Sequence, residues 1–216
     1  MITIKQFVFN SFATNTYVVS DETNKCIIID AGCYDDKERV KLTGYIESNK
    51  LEPVALLNTH CHVDHVCGVA YLKEKYDLDF YANDADNYLL ESVVESGLTY
   101  GMEIEQPPKI DKVLKDGETF KFGNSEFKIC QVPGHSKGSL AYYCEKENII
   151  FSGDVLFDGS IGRTDLEGGD LELLLNSIKE KLFKLPEDTE VLSGHGGPTR
   201  IGKEINSNPF LLDNVL

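Results

Sequence analysis

Positive charge is what this 216-residue sequence lacks most, since 21 Lys and Arg residues are outnumbered by 36 Asp and Glu, for a formal net charge of -15. A protein that binds duplex nucleic acid needs a basic face that displaces counterions, so we expect no nucleic acid partner. No apolar run reaches the roughly 18 residues of a membrane-spanning helix. The first residues also lack the charged and then apolar pattern of a secretion signal. We therefore expect no membrane partner and a location in the cytoplasm.

The sequence also lacks any Cys-x-x-Cys pair, which excludes a zinc ribbon or a thioredoxin-type redox site. Its six cysteines are expected to be reduced thiols rather than a disulfide framework. Cys61 and Cys67 lie beside a histidine run, so a non-enzymatic module that binds metal or senses redox state through these thiols is one alternative. Cys61 alternates away from its neighbours and Cys67 lies beyond the run, which favours small buried hydrophobic side chains at both positions.

The chain does contain a regular order of short apolar runs and longer periodic segments, with 41% hydrophobic and 26% charged residues. No linker or charge block divides it, so we expect a single domain over 1–216 without a separate C-terminal substrate domain. The order fits two β-sheets packed face to face with helices outside, and Asp170 is a candidate N-cap. The predicted strands are 2–9, 16–19, 26–29, 54–57, 118–122, 126–132, 140–144, 148–151 and 191–192, and the predicted helices are 35–49, 65–76, 84–96 and 170–183.

All five histidines lie at or just beyond the end of a predicted strand, in segments that also contain glycine or an acid. A lone histidine is more often structural than a metal ligand. The run His60-Cys61-His62-Val63-Asp64-His65, however, is far more specific for metal binding than an isolated histidine. The five are His60, His62, His65, His135 and His195.

The spacing of the run predicts a first metal position. His60 and His62 are two residues apart, so in extended backbone both rings point the same way and can share one ion. His135 completes a set of three neutral nitrogen ligands. Imidazole together with carboxylate is a ligand set that suits zinc or iron more than calcium or magnesium.

A second metal position is predicted beside the first. Asp64 and His65 follow where the chain turns into a helix, so they are directed at a neighbouring point, where His195 joins them. Asp154 ends a strand in the same manner as Asp30 does, and we expect it to be the carboxylate that bridges the two ions.

The run at 60–65, followed in order by His135, Asp154 and His195, resembles the ligand motif of the metallo-β-lactamase-fold hydrolases. The resemblance covers nearly the whole chain. It implies an α/β protein with a four-layer αβ/βα sandwich, in which two mixed β-sheets have helices outside and the metals lie between the sheet edges.

Three segments, 151–157, 162–165 and 194–199, are similar to the short single-domain members of the glyoxalase II-like, or hydroxyacylglutathione hydrolase-like, branch. That branch implies a thioesterase in which a hydroxide between two Zn²⁺ ions attacks an S-acyl thiol, since bound Zn²⁺ lowers the pKa of water from about 15.7 to about 7. Iron or a mixed Fe/Zn pair also fits. We expect a small anionic thioester as the substrate, because the ions leave the pocket positively charged.

Further residues are expected to serve this site. Asp64 and Asp154 are the candidate catalytic carboxylates. Asp30 and Thr59 are expected to support the ligands from behind, because Asp30 ends the strand beside the ligand loop, where a carboxylate accepts hydrogen bonds and orients it. Arg163, in a glycine-flanked loop after Asp154, is expected to hold a substrate carboxylate with its guanidinium group.

Other activities stay open at this point. The persulfide dioxygenases share the fold, and their single iron would be held here by His60, His135 and Asp154. A lactonase or a β-lactamase-like hydrolase is a further alternative. Full-length glyoxalase II enzymes have a Lys and a Tyr in the loop where this chain has Arg163 and Asp165, so the thiol of the substrate is open, and Arg163 has Asp165 as an alternative partner. Monomer and homodimer are both open.

Overall fold

Two mixed β-sheets form the centre of the protein in the computed structural model, which describes residues 1–212. The last four residues of the domain predicted over 1–216 lie outside the described part. The strands are β1 (Ile2–Phe9), β2 (Thr14–Asp21), β3 (Lys25–Ile29), β4 (Glu52–Leu57), β5 (Phe80–Ala82), β6 (Lys112–Val113), β7 (Thr119–Phe122), β8 (Ser125–Gln131), β9 (Leu140–Cys144), β10 (Ile149–Gly153), β11 (Leu156–Phe157), β12 (Ser160–Ile161), β13 (Glu190–Ser193) and β14 (Thr199–Arg200). The helices are α1 (Asp36–Ser48), α2 (Val63–Val66), α3 (Val69–Tyr76), α4 (Asn87–Thr99), α5 (Leu171–Glu180) and α6 (Ile201–Ser207).

Each of the two large sheets that residues 1–212 form has six strands. The first has the order β1-β2-β3-β4-β5-β6, antiparallel up to β3 and parallel from β3 onward. The second has the order β14-β13-β10-β9-β8-β7, in which β10 and β13 are parallel and the other neighbours antiparallel. The short strands β11 and β12 pair with each other as a separate ribbon.

The strands in the middle of each sheet are covered on both faces, which is why their sequences are continuous apolar runs. In β3, Ile27 and Ile29 pack into the layer between the two sheets, whereas Cys26 and Ile28 pack against helix residues such as Leu42 of α1. The helices α5 and α6 cover the outer face of the second sheet in the same way. The layers are therefore helix, sheet, sheet and helix, and the predicted αβ/βα sandwich is confirmed.

The predicted helix over 65–76 is wrong in one respect, because α2 and α3 are separate helices on either side of Cys67 and Gly68. A Cβ atom at Gly68 would clash with the Cys33 thiol and the Ala31 carbonyl. The Gly68 N–H donates to that carbonyl at 2.7 Å. The close approach of the neighbouring loop thus ends α2 and begins α3.

Other helix boundaries differ by a turn. The segment predicted as helix from residue 84 begins with a 3₁₀ turn at Asp84–Asp86, and α4 follows it. The predicted N-cap of α5 is confirmed, since Asp170 Oδ1 accepts the Leu173 N–H at 2.9 Å. No helix within residues 1–212 has the length and apolar composition that crossing a bilayer requires.

Five short strands are absent from the sequence prediction: β5, β6, β11, β12 and β14. Each has only two or three residues. An alternating or continuous apolar pattern needs about four residues to be recognised, so pairing with a neighbour, rather than composition, defines these strands.

Candidate metal centre

The loops that carry the candidate ligands lie at one edge of the sandwich, because the strands before them end there. In the second sheet β8, β10 and β13 run in the same direction, so their C-terminal ends meet at a common edge. The segments that follow them contain His135, Asp154 and His195 respectively. In the first sheet β4 leads to His60 and His62, and α2 begins directly afterwards.

The first group of converging ligand atoms belongs to His60, His62 and His135. His135 Nε2 lies 2.9 Å from His62 Nδ1 and 3.2 Å from His60 Nε2. Two nitrogens bound at 2.0–2.1 Å to one tetrahedral zinc ion are roughly 3.3 Å apart. The spacing of these three nitrogens therefore fits a single ion.

The second group consists of Asp64, His65 and His195. His65 Nε2 and His195 Nε2 are 3.3 Å apart, and Asp64 Oδ2 is 3.3 Å from each of them. The hydroxyl of Thr14 donates to Asp64 Oδ2 at 2.6 Å and fixes that carboxylate. The three sides of this triangle match the spacing of about 3.3 Å expected around a tetrahedral ion, so this group also fits one ion.

Asp154 lies between the two groups. Its Oδ2 atom is 3.3 Å from His195 Nε2 and 3.8 Å from His135 Nε2, while its Oδ1 atom is 3.5 Å from His65 Nε2. A Cβ atom at Gly194 would clash with Asp154 Oδ1, so glycine is needed where the strand end passes the carboxylate. The carboxylate thus lies close to ligand atoms of both groups, and its role as a bridge stays a prediction.

The donor set fits divalent metal ions. Asp154 Oδ1 is buried without a hydrogen-bond partner among the described residues, which is costly for a carboxylate unless a cation is present. The converging groups found within residues 1–212 contain only histidine and aspartate. Cys61 and Cys67 are outside them, and burial raises the pKa of both thiols above the ordinary value.

The electrostatics of the site favour neutral imidazoles at His60 and His62 and ionised carboxylates at Asp64 and Asp154. Burial, followed by the neighbouring His65, lowers the pKa of His60 well below its usual value. Burial opposes charge on His65 as well, but Asp64 and Asp154 outweigh it and raise its pKa well above normal. Burial likewise opposes ionisation of Asp154, yet the adjacent histidines hold its pKa well below the usual range. The ionised carboxylates of Asp64 and Asp154 are therefore stabilised by positive charge placed between them.

Comparison with known proteins identifies the family. Residues 10–195 match the sequence profile of the Metallo-beta-lactamase superfamily. The chain belongs to this superfamily. It is 37% identical over 208 residues to the hydroxyacylglutathione hydrolase GloC of Haemophilus influenzae, an alignment that covers 93% of this chain and 94% of that protein. The protein is accordingly a metallo-hydrolase of the superfamily.

Two solved structures of the superfamily are similar over nearly their whole length. The B3 metallo-beta-lactamase BLEG-1 has a TM-score of 0.89 and 38% identity, covering 97% of this chain and 100% of that one. TTHA1623 in a di-iron-bound form has a TM-score of 0.87 and 37% identity, covering 96% and 100%. Together with the ligand groups, the superfamily fold implies a dinuclear metal site in this metallo-hydrolase.

Asp30 and Thr59 lie behind two of the ligand histidines. Asp30 Oδ2 is 3.1 Å from His65 Nδ1. Thr59 donates to the same carboxylate through its N–H and its hydroxyl, each at 2.7 Å, and its hydroxyl oxygen is 3.1 Å from His60 Nδ1. Asp30 has a φ of 53°, in the left-handed region, which turns its carboxylate toward these groups. The positions suit the predicted supporting roles, which stay predictions.

Two backbone carbonyls, which no sequence pattern identifies, contact the outer nitrogens of His195 and His135. The Phe12 carbonyl oxygen is 3.0 Å from His195 Nδ1, and the Arg163 carbonyl oxygen is 2.8 Å from His135 Nδ1. A carbonyl accepts, so each contact fixes the tautomer that leaves Nε2 free for a metal.

Asp86 is the functional candidate that sequence reasoning missed. Its side chain is fully buried at the start of α4. One carboxylate oxygen accepts the Cys61 N–H at 3.1 Å and the Ser136 hydroxyl at 2.9 Å, and the other accepts the Gly138 N–H at 2.6 Å. Asp86 thereby ties the loop of His60 and His62 to the loop of His135. The available signal was an acid at a helix start, which is too common to indicate this role.

A cavity of about 680 Å³ opens onto the metal centre. Ligand pockets generally measure about 300–1,000 Å³, so this one is large enough for a small substrate. Ligand residues form its floor, namely His62, Asp64, His135, Asp154 and His195. One side of α4 forms a wall, and residues of the segments after β1, β4, β10 and β13 form the rest.

Arg163 lines this cavity but is already paired. Its Nε and Nη2 atoms donate to the two carboxylate oxygens of Asp165 at 2.7 and 2.8 Å, and its side chain is 57% exposed. The alternative partner considered from the sequence is thus present. Contact between Arg163 and a substrate stays a prediction. A substrate carboxylate would have to displace Asp165 from the guanidinium group.

Proposed function

We propose that this metallo-hydrolase is a thioesterase of the glyoxalase II type, which cleaves the S-acyl bond of a small thioester. The observation that carries the proposal is the Asp154 carboxylate, held between two ligand groups at the floor of a ligand-sized cavity. A relative that is a hydroxyacylglutathione hydrolase, aligned over nearly the full length of both chains, supports thioesters as the substrate class.

Two Zn²⁺ ions are the cofactors that we propose, with iron or a mixed pair as the alternative. When bound, such ions polarise the acyl carbonyl and lower the pKa of water to near 7. The chain contributes neutral imidazoles at His60 and His62 and two ionised carboxylates. Asp64 and Asp154 are the proposed catalytic residues, because their ionised carboxylates line the cavity beside the metal positions, where an oxygen that accepts a hydrogen bond from the attacking water would orient it. Thr14 holds Asp64 in this position.

Hydrolysis of β-lactams is the second candidate. It is favoured by the 38% identity to BLEG-1, a B3 metallo-beta-lactamase with the same fold over nearly the entire chain. Both reactions need a water that attacks a carbonyl carbon, so the metal centre alone does not separate them. The shape and polarity of the cavity walls therefore determine which of the two substrates the protein hydrolyses.

The test is a turnover panel with the purified protein loaded with zinc or with iron. The panel contains S-lactoylglutathione, an acyl-CoA, a lactone, a cephalosporin and glutathione persulfide, and metal content is measured on the same samples. We expect hydrolysis of at least one thioester with kcat/KM of about 10⁴ M⁻¹ s⁻¹ or higher. Turnover of the cephalosporin without any thioester would support the second candidate. Persulfide oxidation with one iron per chain would overturn both.

A further inference from the structure

The wall that α4 contributes to the cavity is a single face of the helix. Leu89, Ser92, Val93 and Ser96 line the cavity, and their spacing of three and four residues places them on one side of a helix. Leu89 and Val93 are buried. The Ser92 hydroxyl donates to the Leu89 carbonyl at 3.1 Å, so it is engaged with the helix itself. This wall offers carbon surface rather than charge.

Other parts of the cavity lining are also apolar. Phe12 and Tyr100 lie edge to face with their ring centroids 5.1 Å apart, and both line the cavity. Phe157 and Leu166 add further apolar surface. Aromatic and aliphatic side chains at such positions bind apolar ligand groups through burial of their surface.

The charges around the cavity disfavour a polyanion. Besides the metal ligands, two carboxylates line it, Asp158 and Glu167. Asp158 forms an ion pair with Lys203. Arg163 is paired with Asp165, so its guanidinium is available only to a ligand that competes with a carboxylate two residues away.

We propose that this cavity binds an uncharged apolar group of the thioester, an aryl group or an alkyl chain. The proposal rests on the proposed thioesterase function and specifies its substrate class. A carboxylate, where the substrate has one, belongs at the rim beside Arg163. The apolar group is carried either by the acyl half or by the thiol half, since both flank the carbonyl that has to reach the metals.

The experiment uses the metal-loaded protein and two series of uncharged thioesters. The acyl series contains the acetyl, butyryl, hexanoyl and phenylacetyl esters of N-acetylcysteamine. The thiol series contains the acetyl esters of methanethiol, butanethiol, hexanethiol and benzyl mercaptan. We expect kcat/KM to rise about fourfold for each methylene that the cavity buries. The rise should appear in the acyl series if the cavity binds the acyl half, and in the thiol series if it binds the thiol half. A flat response in both series, together with a preference for glutathione esters, would overturn the proposal.

A binding measurement separates this proposal from the function on which it rests. S-methyl and S-hexyl N-acetylcysteamine are thioethers that lack the thioester carbonyl attacked in the proposed reaction, and their Kd values for the metal-loaded protein are measured by calorimetry. Tighter binding of the hexyl compound without turnover of any thioester would overturn the proposed function and leave the apolar site standing. Equal Kd values alongside normal turnover would overturn the apolar site alone.

A pair of matched variants on α4 tests whether the preference for apolar groups arises in the cavity. Ser96→Phe introduces a ring on the cavity face, whereas Val94→Phe introduces the same ring on a side of the helix that does not line the cavity. We expect Ser96→Phe to lower the ratio of kcat/KM for the hexanoyl ester over the acetyl ester at least tenfold, and Val94→Phe to leave that ratio unchanged. Equal effects of the two variants would contradict the proposal.

Discussion

Asp86 provides the sharpest test of how the fold holds the metal centre. Its two carboxylate oxygens accept three hydrogen bonds, from Cys61 N–H, Ser136 hydroxyl and Gly138 N–H. The substitution Asp86→Asn keeps the size of the side chain but replaces one acceptor atom by a donor. Whichever way the amide is oriented, its NH₂ group faces a backbone N–H, because each oxygen accepts at least one backbone donor.

The magnitude follows from these contacts. A buried donor left without an acceptor costs about 1–3 kcal/mol. For a chain of this length, about 1 kcal/mol corresponds to a shift in Tm of roughly 2–4 °C, so Asp86→Asn should lower Tm by about 2–12 °C. Because the lost contacts hold the loops of His60, His62 and His135, metal affinity should fall as well. Removing a group that orients metal ligands typically costs about 10- to 100-fold in affinity.

The assay combines thermal unfolding with metal affinity, measured by competition with a chromophoric chelator, and with the visible spectrum of the cobalt-substituted protein. Asp84→Asn is the matched control, since it is the same change on an exposed side chain two residues earlier. It should leave all three measurements unchanged. If Asp86→Asn lowers Tm but leaves metal affinity and the cobalt spectrum as in the parent protein, Asp86 stabilises the loops without positioning the ligands, and the reasoning is refuted.

Three further predictions concern the site itself. Asp30→Asn should lower metal affinity about 10- to 100-fold, and unchanged affinity and kcat would remove Asp30 from the supporting role. Asp154→Ala should reduce metal content, measured by elemental mass spectrometry, and activity together, because its carboxylate lies beside both groups; two tightly held ions in this variant would place the bridge elsewhere. Arg163→Ala should raise KM roughly 10- to 100-fold for an anionic thioester with little change in kcat, whereas Asp165→Asn should lower that KM by releasing the guanidinium group. Equal KM changes for a neutral thioester would mean that Arg163 holds its loop.

The layers of the fold and part of the metal centre follow from local sequence features. Continuous apolar runs such as the one that forms β3 predict strands covered on both faces. The pairing of His60 with His62 follows from their spacing by two. The structure brings both next to His135, the third ligand expected from the sequence, because β4 and β8 end at the same edge of the sandwich.

Other parts of the site depend on tertiary contacts and leave no pattern in the sequence. The carbonyl of Phe12 reaches His195 because the loop after β1 packs against the end of β13, where Asn15 N–H donates to the Gly194 carbonyl at 2.7 Å. A carbonyl is present in every residue, so sequence alone does not distinguish this one. The ion pair of Arg163, by contrast, is visible in the sequence, because Asp165 is only two residues away.

The metal centre exists only where the two sheets meet, and this explains its chemistry as well as its geometry. Neither sheet supplies a complete ligand group, since His60 and His62 need His135 from the other sheet, and His65 needs His195. Packing the sheets therefore brings carboxylates and imidazoles into a buried seam, and the carboxylates remain ionised there only with cations beside them. The chain has a formal charge of -15, but bound metal ions would make the net charge of this site positive. In the proposed reaction the substrate carbonyl is polarised at that point, and the apolar walls above it are proposed to bind the alkyl or aryl group of the acyl or the thiol half.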